Sequence, residues 1–195
     1  SWNFGFGLGQ VAASTEDILD RIKQAVPEIK KDGVNSLFIR GLIAGWNKTR
    51  PSEVTAFLEC ALTDEVWAEM FPELQIAVEI DAAGHCRLIQ CAELGKAPAW
   101  QFKYLGMGRA TDPLSVQQIA SLIMAIVARP DGGLFVAIDV LSMVIHCTDT
   151  KDEQYKGELG LYCLELIHEL DWSSIDLANE SFVHELEQVI DFALD

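Results

Sequence analysis

Between Leu134 and His146 ten of thirteen residues are apolar, and only Asp139, Ser142 and His146 interrupt them. A run this apolar is expected to be buried nearly all round, with the rest of the chain packed about it. Leu134-Phe135-Val136-Ala137-Ile138 is β-branched and aromatic enough for a buried parallel strand. The run, however, is longer than an average strand, and its three polar residues share one stripe at three- and four-residue spacing. That spacing predicts a helix over 134–146. Upstream, Val116, Ile119, Ala120, Ile123, Ile126 and Val127 recur at helical spacing, opposite Gln117, Gln118 and Ser121. Asp112 as cap and Pro113 at the first helical position would start that helix. Arg129 before a proline, then Pro130-Asp131-Gly132-Gly133, would end it. Two apolar helices joined by a four-residue glycine turn make an antiparallel αα-hairpin.

The chain opens very differently. Trp2-Asn3-Phe4-Gly5-Phe6-Gly7-Leu8-Gly9 alternates apolar residues with glycine, and residues 1–13 are read as an extended glycine/aromatic arm. Gly7-x-Gly9-x-x-Ala12 formally matches a dinucleotide loop but lacks the preceding strand such a loop needs. Residues 14–195 are read as a single helical domain, one that would fit being excised from a longer chain, since no initiator Met is present. Ser14 or Thr15 caps its first helix, whose apolar face is Ile18, Leu19, Ile22, Ala25 and Val26 and whose exit is Lys30-Lys31-Asp32-Gly33. A second helix runs from about Val34 to Ala44 with Gly45 as its stop, and a third follows Pro51. A fourth starts at Asp64 and is broken or restarted by Pro72; His85 to Leu94 is a short helix or strand ending at Gly95. After the hairpin, Tyr155, Leu159, Tyr162, Leu166 and Leu170 mark another helix. Gly157 and Gly160 inside it suggest a small-residue strip where another helix comes close, or else a kink. Asp171-Trp172-Ser173-Ser174 breaks the chain, and Ser181 caps a last helix.

The net charge of −16 is unevenly spread. Residues 1–50 carry seven Lys/Arg and five Asp/Glu, whereas residues 151–195 carry two and twelve. A field of that sign excludes nucleic acid and anionic membrane as expected partners, because binding phosphates takes Lys or Arg to displace counterions. It suits a basic protein partner, although acidic solvated helix faces that keep the molecule soluble are the plainer reading. Five scattered cysteines, odd in number, read as free thiols in a reducing compartment. With no eighteen-residue uninterrupted apolar run and no signal peptide, a soluble cytoplasmic protein is expected.

No complete catalytic constellation is present. Glu165-x-x-His168 has the spacing of a di-iron helix but no second such pair, and His184-Glu185 begins a zincin motif whose second histidine is replaced by Gln188. His85-Cys86 with Cys91 matches no metal-site spacing. No metal, cofactor or catalytic residue is therefore assigned. The candidate ligand-binding residues are Gly106, Gly108 and Asp139. Gly106-Met107-Gly108 precedes a helix, where backbone amides can cradle phosphate; its alternative role is to let Trp100, Phe102 and Tyr104 dock on the hairpin. Asp139 is the one ionisable group in the most apolar segment, so it is either a functional acid or one half of an ion pair with Arg109 or Arg129.

Short amphipathic helices at intervals of roughly 15–20 residues, paired by tight turns over residues 14–195, resemble the HEAT or armadillo class of α-solenoid. The resemblance implies stacked antiparallel helix pairs and a binding surface, with repeats degenerate enough to leave no self-match at about 34, 40 or 47 residues. An irregular helical bundle fits the same elements. The expectation is an all-α, non-catalytic protein–protein interaction module with an acidic C-terminal surface. Such a module would be a regulatory domain of a larger protein or an acidic inhibitor or immunity protein. The competing reading is a small enzyme or nucleotide-binding α/β domain built on the Gly106–Gly108 loop and Asp139.

Overall fold

The computed structural model describes residues 1–29, 36–172 and 179–194. Among them are ten α-helices, three short 3-10 segments and no strand, so the fold is all-α and the α/β alternative is ruled out. The reason is visible at 134–146. The stretch is a helix whose polar Asp139 and Ser142 share a side while Ile138, Val140 and Leu141 are buried. The chain divides into two compact units, Ser1–Gln101 and Phe102–Asp195.

The first unit contains α1 (Trp2–Val11), α2 (Thr15–Ile29), α3 (Ser36–Thr49), α4 (Pro51–Ala61), α5 (Phe71–Gln75) and α6 (Ala82–Leu94). The N-terminal segment is thus a helix and not an extended arm. Glycine alternation makes it a poor helix by propensity, but Gly5 and Gly9 fall one turn apart and are both buried. They lie against the backbone of Phe38 and Leu42, while Gly41 and Gly45 of α3 lie against the backbone of Trp2 and Phe6. Four glycines let two helix backbones touch, and that close packing outweighs the propensity. For the same reason Gly45 is no stop: α3 continues through it to Thr49. Arg50 then donates to the carbonyls of Ala12 and Ala13 and to Thr15 Oγ1, tying the end of α1 to the start of α2.

The expected fourth helix is a 3-10 turn, Trp67–Met70, followed by α5 with Pro72 in its first turn. Asp81 caps α6 through the Gly84 amide, and Gly95 closes it in the left-handed region at φ +69°, which settles 85–94 as helix. Leu42, Ile43, Phe71, Leu74 and Leu88 form the centre of this unit. The basic turn Lys30–Gly33 and the helix start at Val34 lie outside the described residues, as do Ser173 and Ser174.

The second unit contains α7 (Val116–Val127), α8 (Gly133–His146), α9 (Glu153–Glu169) and α10 (Glu180–Leu194). α7 begins three residues later than Pro113. Ser115 and Gln118 form a capping box, whereas Asp112 is held by Arg109. α7 and α8 make the expected hairpin, closed so tightly that a Cβ on Gly133 would stand 1.9 Å from the Ile126 carbonyl oxygen. Asn179, not Ser181, receives the Phe182 amide at the start of α10.

The helices of this unit pair in register. Gln117 reaches Glu158 and Tyr162 reaches the Ala120 carbonyl, so α7 and α9 run parallel. Phe135 meets Phe182 edge-on at 4.7 Å, and Asp139 lies beside Glu185, so α8 and α10 run parallel as well. Two antiparallel hairpins are therefore stacked face to face. The segment Gly133–Thr150 is long and apolar enough to cross a membrane by length and composition, and half of it is buried inside the protein.

Candidate functional site

Gly106 and Asp139 come together along one side of α8. Gly106 ends the 3-10 segment Ala99–Gly106, and its Cα faces the Met143 side chain so closely that a Cβ would stand 3.1 Å from it. One turn earlier on α8, Asp139 Oδ2 lies 3.0 Å from Lys103 Nζ. Asp139 thus has an ion-pair partner, but it is Lys103 and neither Arg109 nor Arg129; Arg129 pairs with Asp131. The opposing α10 adds Glu185, whose carboxyl is held above the usual range by burial and then by the Asp139 charge. The Ser181 hydroxyl, donating to Glu185 Oε1 at 3.2 Å, and the Lys103 charge favour its ionised form. Of the three aromatics expected to dock here, Phe102 is fully buried and Tyr104 half-buried, while Trp100 is exposed.

Gly108 stands apart, with open space around it. It and Arg109 both have φ near +61°, and the Ala110 amide donates to the Met107 carbonyl, as in a type I′ turn. Arg109 is the one described non-glycine residue in that region. Its guanidinium donates to Asp112, to the Cys147 carbonyl at the end of α8, and to Asp149 and Thr150. The loop is therefore a clasp across the end of α8, where a cation also meets the negative end of the helix dipole. The phosphate-cradle geometry is occupied differently: Ser115 Oγ accepts the Gln118 amide and Gln118 Oε1 accepts the Ser115 amide at the α7 N-terminus.

A second feature lies on the outer side of α9. A groove of about 400 Å³ between α9 and α10 is floored by Gly157, Gly160, Leu161, Leu164, Phe192 and Ala193. A separate hollow of about 300 Å³, lined by Leu164, Glu165, His168 and Glu169, adjoins it at Leu164. Leu161 is 64% exposed and Leu164 40%. A Cβ on Gly157 would meet nothing within 4 Å, and one on Gly160 would meet the Phe192 carbonyl oxygen at 3.7 Å. Gly157 and Gly160 lie on one continuous helix, but the close helix approach expected at them is not made at Gly157, where no described residue comes within 4 Å of an added Cβ. Glu165 and Glu169 make the edge of the adjoining hollow acidic. Lys156, the cation among the residues that line the groove, is tied to Glu153 at 2.8 Å. Nearby Glu158 is held below the usual carboxylate range by hydrogen bonds from Gln154 and Gln117, and so stays ionised.

Sequence reasoning missed Lys103 and Glu185, which sit 36 residues before and 46 after Asp139 and share no motif with it. It also missed the α1/α3 strip, whose signal, glycines four apart in both segments, was present. Among the described residues no three His, Cys, Asp or Glu side chains converge as a metal site, and none of the five cysteines is in a disulfide. No family model, curated protein or solved structure matches this chain.

Proposed function

We propose that this chain is a non-catalytic protein-interaction module whose docking surface is the α9/α10 face of the second unit. The observation that supports it is the groove itself: an apolar floor with Leu161 and Leu164 exposed beside an unfilled glycine, on a helix whose opposite face is fully packed. Exposed leucines in a concave site are characteristic of surfaces that receive a partner. The parallel stacking of two hairpins, with contacts offset by 41 and 42 residues between α7 and α9, supports a degenerate HEAT-like array. Such arrays act through their surfaces. The acidic C-terminal third favours a basic protein or domain as partner over nucleic acid or an anionic membrane. Cysteines that form no disulfide are in keeping with a cytoplasmic setting.

The test is differential capture. Wild-type protein and a Gly157→Trp variant, which fills the groove, are used side by side as bait in the source cell extract. Proteins retained by the wild type and lost with the variant would support the reading. Identical retention on both would remove it.

A further inference from the structure

We infer that the α9/α10 groove takes an amphipathic helix with basic flanks, laid along α9; this rests on the reading of that face as a docking surface. The second unit already shows how its helices accept neighbours. α7 receives α9 lengthwise and in parallel, with 158 beside 117 and 162 beside 120. At about 100° per residue, Gly157, Leu161 and Leu164 lie on the side of α9 opposite the buried Leu159, Cys163 and Leu166. Both sides of α9 therefore have the form of a helix-packing face, and the second is open. Gly157 allows an approach to backbone distance there, as Gly41 and Gly45 allow α1 onto α3. From Glu153 to Glu169 the groove and the hollow adjoining it lie along about 24 Å of α9, the length of roughly four turns of helix.

Charge selects the flanks. Glu165 and Glu169 border the adjoining hollow, while Glu153 at the other end is ion-paired with Lys156. Lysine or arginine beside the apolar stripe of an incoming helix answers Glu165 and Glu169, and an acidic helix is repelled.

The experiment uses three labelled peptides of about 16 residues on the full chain: an amphipathic Leu/Lys helix, its Leu/Glu counterpart, and a Leu/Lys isomer of scrambled helical phase. Fluorescence anisotropy gives affinity and stoichiometry, and circular dichroism gives peptide helicity. The Leu/Lys helix should bind one to one, gain helicity, and weaken about tenfold on E165K/E169K, where two attractions become repulsions. Gly157→Trp should abolish binding while keeping the fold, because position 157 is exposed on a helix with space around it. Equal binding of the Leu/Glu or scrambled peptide, or affinity within twofold on E165K/E169K, overturns the basic-helix inference. Sensitivity to Gly157→Trp would then still support the docking surface. Absence of saturable Leu/Lys binding up to about 1 mM also overturns the inference. Binding indifferent to Gly157→Trp for every peptide overturns both.

Discussion

Replacing Gly9 by alanine adds one methyl group, and the α1/α3 crossing leaves no place for it. The new Cβ would stand 2.1 Å from the Leu42 carbonyl oxygen and 2.7 Å from the Trp46 nitrogen. Carbon atoms in favourable contact sit about 3.5–4.0 Å away, so the helices must separate by more than about 1 Å. The atoms met are backbone and cannot rotate aside. Overpacking of this kind costs about 3 kcal/mol, near the upper end of what an inserted methyl imposes, against which alanine returns about 1 kcal/mol as the better helix former. Gly9→Ala should therefore lower stability by about 2 kcal/mol. Gly7, two residues away in the same helix, has nothing within 4 Å, so Gly7→Ala keeps only the favourable part and should raise stability by up to about 1 kcal/mol. For a unit of this size each kcal/mol moves the melting temperature by about 4–8 °C, and the two variants should melt on opposite sides of the wild type. Urea unfolding followed by tryptophan fluorescence, with hydrogen exchange of the α1 amides, checks it. A Gly9→Ala variant as stable as Gly7→Ala would refute the close-packed crossing. Gly45→Ala, whose Cβ would lie 2.0 Å from the Phe6 carbonyl oxygen, should match Gly9→Ala, and the pair should be less than additive. Once α1 has moved away, the second methyl finds room.

Three further outcomes follow from particular side chains. Arg109→Ala and Arg109→Gly both remove the clasp, but only glycine relieves φ +61°, so the glycine variant should be about 1 kcal/mol the more stable in denaturant. Burial holds the Glu73 carboxyl above its ordinary value, opposed by the Ser36 hydrogen bond and the Arg40 charge, and Glu73 Oε1 has no hydrogen-bond partner among the described residues. Its ionisation then opposes folding: the penalty is absent below the ordinary value of 4.5, grows as pH rises toward the raised folded value, and is constant above it. Glu73→Gln should accordingly stabilise at pH 7 and gain nothing at pH 4; an equal effect at both would contradict the assignment. Cys60 and Cys86 are exposed and should alkylate in the native protein, whereas Cys91 and Cys163 should react only on unfolding. Burial pushes the Cys163 thiol up to about 12, and native-state labelling of that residue would show that α9 is not packed as described.

Periodicity and punctuation carried much of the architecture. The Asp139/Ser142/His146 stripe, the Gly132-Gly133 turn and the Gly95 stop are local signals, and each appears in place as α8, the α7/α8 turn and the end of α6. Asp112-Pro113 misled because it resembles a cap, while the stronger device, Ser115 with Gln118, lay three residues on. The site was less legible because its geometry is non-local. Asp139 signals that something must face it, but nothing near it in the chain distinguishes Lys103 from the two arginines.

Glycine spacing shows the same division most clearly. Gly5/Gly9 and Gly41/Gly45 are spaced by four, Gly157/Gly160 by three, and in each case spacing fixes only that the small residues share a helix face. Whether that face is filled depends on a second helix with a matching strip. α1 and α3 supply one to each other, so their glycines vanish into an interface that binds nothing else. Among the described residues of its unit α9 has no such partner: α10 reaches Gly160 through one carbonyl and leaves Gly157 open beside Leu161 and Leu164. A glycine in an exposed helix interior costs about 1 kcal/mol relative to alanine. At Gly157 no described residue comes within 4 Å of where a Cβ would stand to offset that cost, and close approach of another helix would offset it.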